Sequence, residues 1–152
     1  MIKEFYFAQK AFIVKDGKLL LIKKSGSDPN QANKWEVPGG RMKFGEEIED
    51  HIKREVYEEV GLEVDPAEPF FIWQWQIDRK NQNGDDVRMQ IVAVARICHC
   101  KSGNISFEKH EEDDYIANYA WVDFKDIKTY DVIKNMYPVI DKFLEKYGST
   151  IG

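Results

Sequence analysis

Three glutamates, Glu55, Glu58 and Glu59, lie within five residues of one another and form the group most capable of chemistry in the sequence. Apolar residues recur at every fourth position across residues 46–60, which predicts an amphipathic helix. On that helix the three carboxylates share a sector about 100° wide. A solvated helix surface is the ordinary alternative, but like charges four residues apart repel unless a cation intervenes. Since Mg²⁺ takes carboxylate oxygens and bridges to phosphates, the cluster predicts a metal site that handles phosphates.

The spacing of residues across 40–62 matches a known pattern at every specified position. Gly40 is followed after five residues by Glu46, after seven more by the run REV, and then by EE and GL. This segment resembles the Nudix box, and the chain is similar to MutT-like Nudix hydrolases. The strand WEVPGG before the box and a later strand with Trp121 extend the resemblance over most of the chain. It implies one Nudix domain over residues 1–152, an α/β fold with a mixed central sheet in an α/β/α sandwich.

The resemblance also implies an activity. Nudix hydrolases use Mg²⁺, with Mn²⁺ as a substitute, to cleave a phosphoanhydride bond in a nucleoside diphosphate linked to another group. We favour a nucleoside triphosphate-type substrate because the domain is small and carries little beyond the box. The family pattern assigns metal ligation to Glu55, Glu58, Glu59 and the backbone carbonyl of Gly39. A small-molecule nucleotide is the expected partner, and a homodimer stays open.

Further acidic and basic residues are assigned supporting roles in catalysis. The resemblance implies that Arg54 orients a ligand glutamate, with a surface ion pair as the alternative. Glu46 is about half a turn from Glu55 in helical projection, so we assign it to support of the site rather than to ligation. Similar proteins often take a base from a later loop, for which we choose Glu112. The alternatives are a solvated acidic loop or its other acids: Glu111, Asp113 and Asp114.

Four residues are candidates for substrate binding: Lys23, Lys24, Trp73 and Trp75. Adjacent residues of a strand point to opposite faces, so one of the two lysines could reach a phosphate. The same alternation puts both tryptophans on one face of a strand and Phe70 on the other. Either tryptophan could stack on a nucleobase, although burial in the core is the more common role for such aromatic residues.

Turn signals and apolar runs predict the elements that hold these residues. Asp16-Gly17 between two apolar runs predicts an N-terminal hairpin, and KNQNGD predicts a second one between FFIWQWQID and DVRMQIVAVARICHC. Gly61 is suited to end the acidic helix. KSGNISF and NYAWV are expected to add strands, and residues 131–147 are expected to form a helix interrupted near Pro138. His51, one turn before Glu55 in the same helical row, could contact the site, but we expect it to be exposed.

Composition excludes several other classes of protein. The formal charge of −5 argues against a nucleic-acid or anionic membrane surface, because both need clustered Lys and Arg. No run approaches about 18 uninterrupted apolar residues, and the N-terminus lacks the features of a signal peptide, so we expect a cytoplasmic protein without membrane association. Cys98 and Cys100 are expected to be reduced thiols, because residues two apart in a strand seldom suit a disulfide.

Two functional alternatives remain at this level. The domain could bind nucleotides as a sensor without hydrolysing them, but such a role would tolerate loss of the ligand glutamates, which are all present. It could instead resemble the isomerases that use this fold on an isoprenoid diphosphate. That reaction needs an additional catalytic cysteine and acid in one cleft, for which Cys98 and Cys100 are the available thiols.

Overall fold

The computed structural model describes residues 1–110 and 115–149 of the chain. Its elements in chain order are β1 Ile2–Lys15, β2 Lys18–Lys24, β3 Trp35–Glu36, β4 Gly39–Arg41, α1 Ile48–Val60, β5 Glu63–Lys80, β6 Asp86–Ser102, β7 Ile116–Asp123 and α2 Tyr137–Tyr147. The 3₁₀ helices Phe124–Thr129 and Lys134–Met136 connect β7 to α2.

The strands form one mixed sheet. Its main order is β3-β2-β1-β6-β5, while β4 pairs with β1 and β7 pairs with β2. The long β1–β6 pair is parallel, and the other strand pairs are antiparallel. Both predicted hairpins, β1–β2 and β5–β6, are confirmed. Within the described residues, neither helix is long and apolar enough to cross a bilayer.

The two helices cover opposite faces of this sheet. In β1, Phe12 and Val14 pack in the same cluster as the buried residues of α2, whereas Ala11 and Ile13 pack in the cluster of α1. Successive side chains of a strand point to opposite faces, so this alternation places one helix on each side. The α/β/α sandwich predicted from the resemblance is confirmed, and the α1 side carries the acidic segment.

Three predictions about the elements are wrong in detail. Helix α1 begins at Ile48 rather than at residue 46. The expected strand in KSGNISF is absent, because Lys101 and Ser102 end β6 and residues 103–107 lie outside any strand. Helix α2 begins at Tyr137, so Pro138 lies in its first turn, where a missing N–H costs no helical hydrogen bond, instead of interrupting a longer helix.

Candidate active site

Strand β4 brings a glycine pair against the acidic helix. Gly39 has φ of 147°, and a Cβ at this position would collide with the Gln9 carbonyl and lie 2.9 Å from the Lys10 Cα. Only glycine fits this approach of β4 to β1. A Cβ on Gly40 would lie 2.7 Å from the Glu55 carboxylate. The two glycines therefore allow the β4 backbone and the α1 acids to lie next to each other.

Arg54 joins three of the acids named by the sequence. Its Nε and Nη2 donate to the two carboxylate oxygens of Glu46 at 2.7 and 2.9 Å. Its Nη1 donates to Glu58 Oε2 at 3.1 Å, and its Nη2 lies 3.2 Å from Glu55 Oε1. The hydrogen bonds from Arg54 lower the pKa of Glu46 to about 2, and those to Glu46 raise the pKa of Arg54. Glu46 precedes α1 in the chain and binds the Arg54 guanidinium through both of its carboxylate oxygens.

Glu55 and Glu58 line a cleft of about 730 Å³ together with Arg54 and the two glycines. Sequence reasoning missed most of the other walls of this cleft. Arg41 lies over the Tyr6 ring, with 4.2 Å between its Cζ and the ring centroid. No local motif marks these lining positions, because β1, β4, β5 and three connecting segments meet only in the folded chain. The remaining lining residues are Asp28, Pro29, Asn30, Met42, Lys43, Arg79 and Tyr115.

Glu59 has a different position from the other two glutamates. It is 5% exposed, and its Oε1 accepts a 2.8 Å hydrogen bond from the Gly39 N–H. This contact fixes the strand residue whose carbonyl the family pattern assigns to the metal. Glu59 does not line the cleft as Glu55 and Glu58 do. In this geometry, the side chain of Glu59 orients Gly39.

A buried ion pair between Lys10 and Glu36, which the sequence analysis did not predict, lies near Glu59. Lys10 donates to Glu36 Oε1 at 2.8 Å, and Lys24 Nζ lies 3.3 Å from Glu36 Oε2. Burial opposes the charge of Lys10, but Glu36, Glu59 and Glu55 together raise its pKa. Burial likewise opposes the charge of Glu36, and the two lysines lower its pKa. Lys10 and Glu36 are therefore held in their charged forms.

The candidate substrate-binding residues do not line this cleft. Lys24 contacts Glu36, and Lys23 lies over the Trp35 ring at 5.9 Å. Trp73 is a core residue, 9% exposed, and its Nε1 donates to the Asn135 carbonyl at 2.8 Å. Trp75 is half-buried, with its ring 5.6 Å from that of Trp73.

The predicted alternation of β5 fails at one point. The pairing register of β5 with β6 shifts between Pro69 and Phe71. Phe70 and Trp73 consequently reach the same apolar cluster, although strict alternation would put them on opposite faces. Trp73 and Trp75 share one face as predicted, and that face packs in the apolar cluster that contains the buried residues of α2.

His51 is fully buried, so the prediction that it is exposed is wrong. A polar partner, Gln9, lies under it on β1 and makes burial of the ring acceptable. Cys98 is also fully buried, and burial raises the pKa of its thiol to about 12. Cys98 and Cys100 are both free thiols, as predicted. The isomerase alternative therefore finds no exposed thiolate at Cys98. Glu112 lies outside the described residues.

The donors around the cleft suit a hard divalent cation. Glu55, Glu58 and the Gly39 backbone offer oxygen atoms along one wall, and Mg²⁺ usually binds one or two carboxylates with several waters. Across residues 1–110 and 115–149, no three His, Cys, Asp or Glu side chains are grouped closely enough to form a complete metal cage. The donor set thus fits an open site of few protein ligands.

Comparison with known proteins identifies the class. The NUDIX domain model matches residues 8–147. Nucleoside triphosphatase NudI of Escherichia coli (strain K12 / DH10B) is 31% identical over 121 residues, which cover 79% of this chain and 83% of that protein. NudI of Escherichia fergusonii is 31% identical over 123 residues. The crystal structure of a MutT NUDIX hydrolase from Burkholderia pseudomallei superimposes with a TM-score of 0.68 at 25% identity, covering 91% of this chain and 98% of that one.

The MutT protein from Methanosarcina mazei Go1 has the same TM-score of 0.68 at 18% identity, covering 99% of both chains, and this likeness concerns the fold alone. The matched domain spans nearly the whole chain and contains the complete box. The chain therefore belongs to the NUDIX family and is an enzyme of the Nudix hydrolase class.

Proposed function

We propose that this Nudix hydrolase cleaves a phosphoanhydride bond of a nucleoside triphosphate-type substrate in a Mg²⁺-dependent reaction. The observation that carries the proposal is the Arg54 cluster, in which one arginine contacts Glu46, Glu55 and Glu58 at the wall of the cleft. Such a cluster concentrates acidic oxygens next to a cavity that is large enough for a nucleotide.

The ligand set that we propose is Glu55, Glu58, Glu59 and the Gly39 carbonyl, with Mg²⁺ or Mn²⁺ as the ion. A divalent ion bound there would neutralise phosphate charge and make water a better nucleophile at neutral pH. Arg54 holds Glu55 and Glu58 at one wall of the cleft, and Glu46 fixes Arg54 from behind. Glu59 is included because the family pattern assigns it to the metal, and its side chain also fixes the Gly39 amide and thereby the orientation of that peptide.

The cleft also supplies positive charge for the phosphates. Arg41, Lys43 and Arg79 lie on its walls, opposite in charge to a triphosphate. Charge-assisted hydrogen bonds from arginine to phosphate are short and frequently bidentate. The nucleoside triphosphatase relatives support this substrate class. Glu112 remains our proposed base, and it rests on the sequence pattern.

The decisive experiment incubates the pure protein with Mg²⁺ and a panel of ribo- and deoxyribonucleoside triphosphates and identifies the products by anion exchange and ³¹P NMR. We expect nucleoside monophosphate and pyrophosphate, and no turnover after removal of metal with EDTA until Mg²⁺ is restored. Those products correspond to cleavage between the α- and β-phosphates, so release of nucleoside diphosphate and phosphate would contradict this expectation. Binding without any turnover across the panel would favour the sensor alternative.

One variant tests the ligand assignment. Glu58→Gln keeps the shape of the side chain but removes its charge, so we expect a loss of about 10²-fold or more in kcat with an unchanged melting temperature. The matched control is Glu145→Gln on the exposed surface of α2, which removes one charge far from the cleft and should retain full activity. A folded Glu58→Gln protein with near-normal turnover would show that the assignment is wrong.

A further inference from the structure

Two buried polar side chains behind the cleft have no part in the function proposed above. Gln9 of β1 is 1% exposed, and His51 of α1 is 0% exposed. Burying polar groups is costly unless they are hydrogen-bonded. If positions 9 and 51 served only to pack α1 on the sheet, apolar residues there would do so without the cost of burying polar groups. The contacts of this pair therefore need a specific explanation.

The hydrogen bonds determine which ring nitrogen of His51 carries the proton. His51 Nε2 lies 3.0 Å from the Gly40 carbonyl oxygen, which can only accept, so Nε2 donates. His51 Nδ1 lies 2.8 Å from Gln9 Nε2 and is then the acceptor in that contact. The same amide nitrogen of Gln9 donates to the Ile48 carbonyl at 2.9 Å. Burial lowers the pKa of His51, which agrees with a neutral ring.

This network connects the three elements that meet at the site. Gln9 faces Gly40 in the β1–β4 register, so both ends of the network lie on one strand pair. His51 lies on α1 one turn before Glu55 and reaches back to that pair. Strand β4 has only three residues, Gly39–Arg41, and ladder hydrogen bonds alone hold so short a strand weakly.

Helix α1 is thus fastened to β4 at two points. At its first turns, His51 holds the carbonyl of Gly40. Near its end, Glu59 holds the amide of Gly39. Glu55 lies between these two points on the helix and faces Gly40 closely enough that a Cβ there would meet its carboxylate. The spacing between the helix acids and the β4 backbone is therefore set by both fastenings.

We propose that Gln9 and His51 are positioning residues of the Nudix site, which fix the distance between the Gly39–Gly40 segment and the carboxylates of α1. The inference rests on the proposed metal-dependent function. It assigns the pair an effect on ion affinity and turnover beyond its contribution to folding.

Two amide variants that differ in reach provide the test. In His51→Gln, the longer side chain places an amide N–H near the position of Nε2 and can still donate to Gly40. In His51→Asn, the shorter amide can replace the contact of Nδ1 with Gln9 but cannot reach Gly40. A third protein, the double variant Gln9→Leu/His51→Leu, removes both side chains together, so neither is left buried without its side-chain partner, while the Gly40 and Ile48 carbonyls lose their side-chain donors.

The measurements are Mn²⁺ binding by electron paramagnetic resonance, kcat and KM at saturating Mg²⁺, and melting temperature. We expect His51→Gln to behave like the wild type. We expect His51→Asn and the double variant to bind Mn²⁺ about 10- to 100-fold more weakly and to lose kcat with little change in KM, because residues that orient ligands have effects of this size. The double variant should retain most of the wild-type melting temperature.

The outcomes are distinguishable. Wild-type Mn²⁺ affinity and kcat in both His51→Asn and the double variant would overturn the inference and leave the pair a purely structural role. Equal impairment of His51→Gln and His51→Asn would also overturn it, since only one of them lacks the Gly40 contact. If Glu58→Gln binds Mn²⁺ as the wild type does, the proposed metal site itself is wrong and the inference falls with it.

Discussion

The two faces of the central sheet are packed by different means. On the α2 face, aromatic rings contact one another, with Phe143 at 5.0 Å from both Phe12 and Phe124. On the α1 face, apolar residues are joined by buried polar ones, of which His51 and Glu59 belong to the helix. Apolar packing is non-directional, whereas hydrogen bonds fix distances and angles.

The two faces therefore have different roles in this chain. The α2 face supplies burial of apolar area and hence stability. The α1 face contains buried polar groups that are costly to bury, and their hydrogen bonds hold Gly39 and Gly40 in defined positions next to Glu55. Substitutions on the α2 face should therefore mainly lower stability, whereas substitutions on the α1 face should mainly lower turnover.

The largest expected effect is on the α2 face. Phe143→Ala removes a fully buried ring from the aromatic cluster and should reduce the free energy of unfolding by about 3 to 5 kcal/mol. Urea denaturation followed by tryptophan fluorescence measures the change. At a temperature where the variant remains folded, its kcat and its preference among nucleotides should equal those of the wild type. A changed preference would break the separation between the two faces.

Gly40→Ala makes the opposite test on the α1 face. The new Cβ would displace the Glu55 carboxylate, the mobile end of a side chain, so we expect kcat to fall about 10²-fold, equivalent to about 2.7 kcal/mol, with little loss of stability. Gly26→Ala is the matched control, because its Cβ would meet only ordinary contacts at 3.6 Å or more. Kinetics and melting curves of both variants decide the matter. Loss of stability without loss of turnover would contradict the prediction.

Glu46→Gln tests the support of Arg54 through its pH dependence. Arg54 lowers the pKa of Glu46 from 4.5 to about 2, so its stabilising effect is complete above pH 4.5 and is lost as the pH falls through about 2. We expect the variant to be about 1 to 2 kcal/mol less stable at pH 7. The difference from the wild type should shrink between pH 4.5 and 2 in urea denaturation. A difference that stays constant to pH 2 would rule out the titration of Glu46 as its cause.

The local parts of the site could be predicted from the sequence, and its nonlocal parts could not. The acids of α1 follow from helical periodicity, and their spacing carries the family pattern, so Arg54, Glu55 and Glu58 are found together as expected. The burial of His51 depends on Gln9, 42 residues earlier, which no local pattern connects to it.

The β5 aromatics show the same limit. Strict alternation predicted the shared face of Trp73 and Trp75, but the register shift at Pro69–Phe71 decides which other residues join them. Whether that face meets solvent, substrate or core depends on α2 and its preceding turn, which lie more than 60 residues further along the chain, as the Trp73–Asn135 hydrogen bond illustrates.

The smallest expected effect concerns the two tryptophans and separates core packing from substrate stacking. Among the described residues, the buried Trp75 Nε1 has no hydrogen-bond partner, whereas Trp73 Nε1 donates to the Asn135 carbonyl. Trp75→Phe removes an unsatisfied donor and keeps an aromatic ring, so we expect a change in the free energy of unfolding within about 0.5 kcal/mol. Trp73→Phe loses a formed hydrogen bond and should cost about 1 kcal/mol more.

Kinetics of the same two variants complete this test. Both rings lie outside the cleft walls, so neither substitution should alter the relative KM values for a series of nucleoside triphosphates. A base that stacked on Trp75 would instead bind more weakly to Trp75→Ala, by about 1 to 3 kcal/mol, with the loss differing among bases. A nucleotide-dependent rise in KM for Trp75→Ala, with stability unchanged, would therefore show that part of the nucleotide-binding surface lies on the face covered by α2.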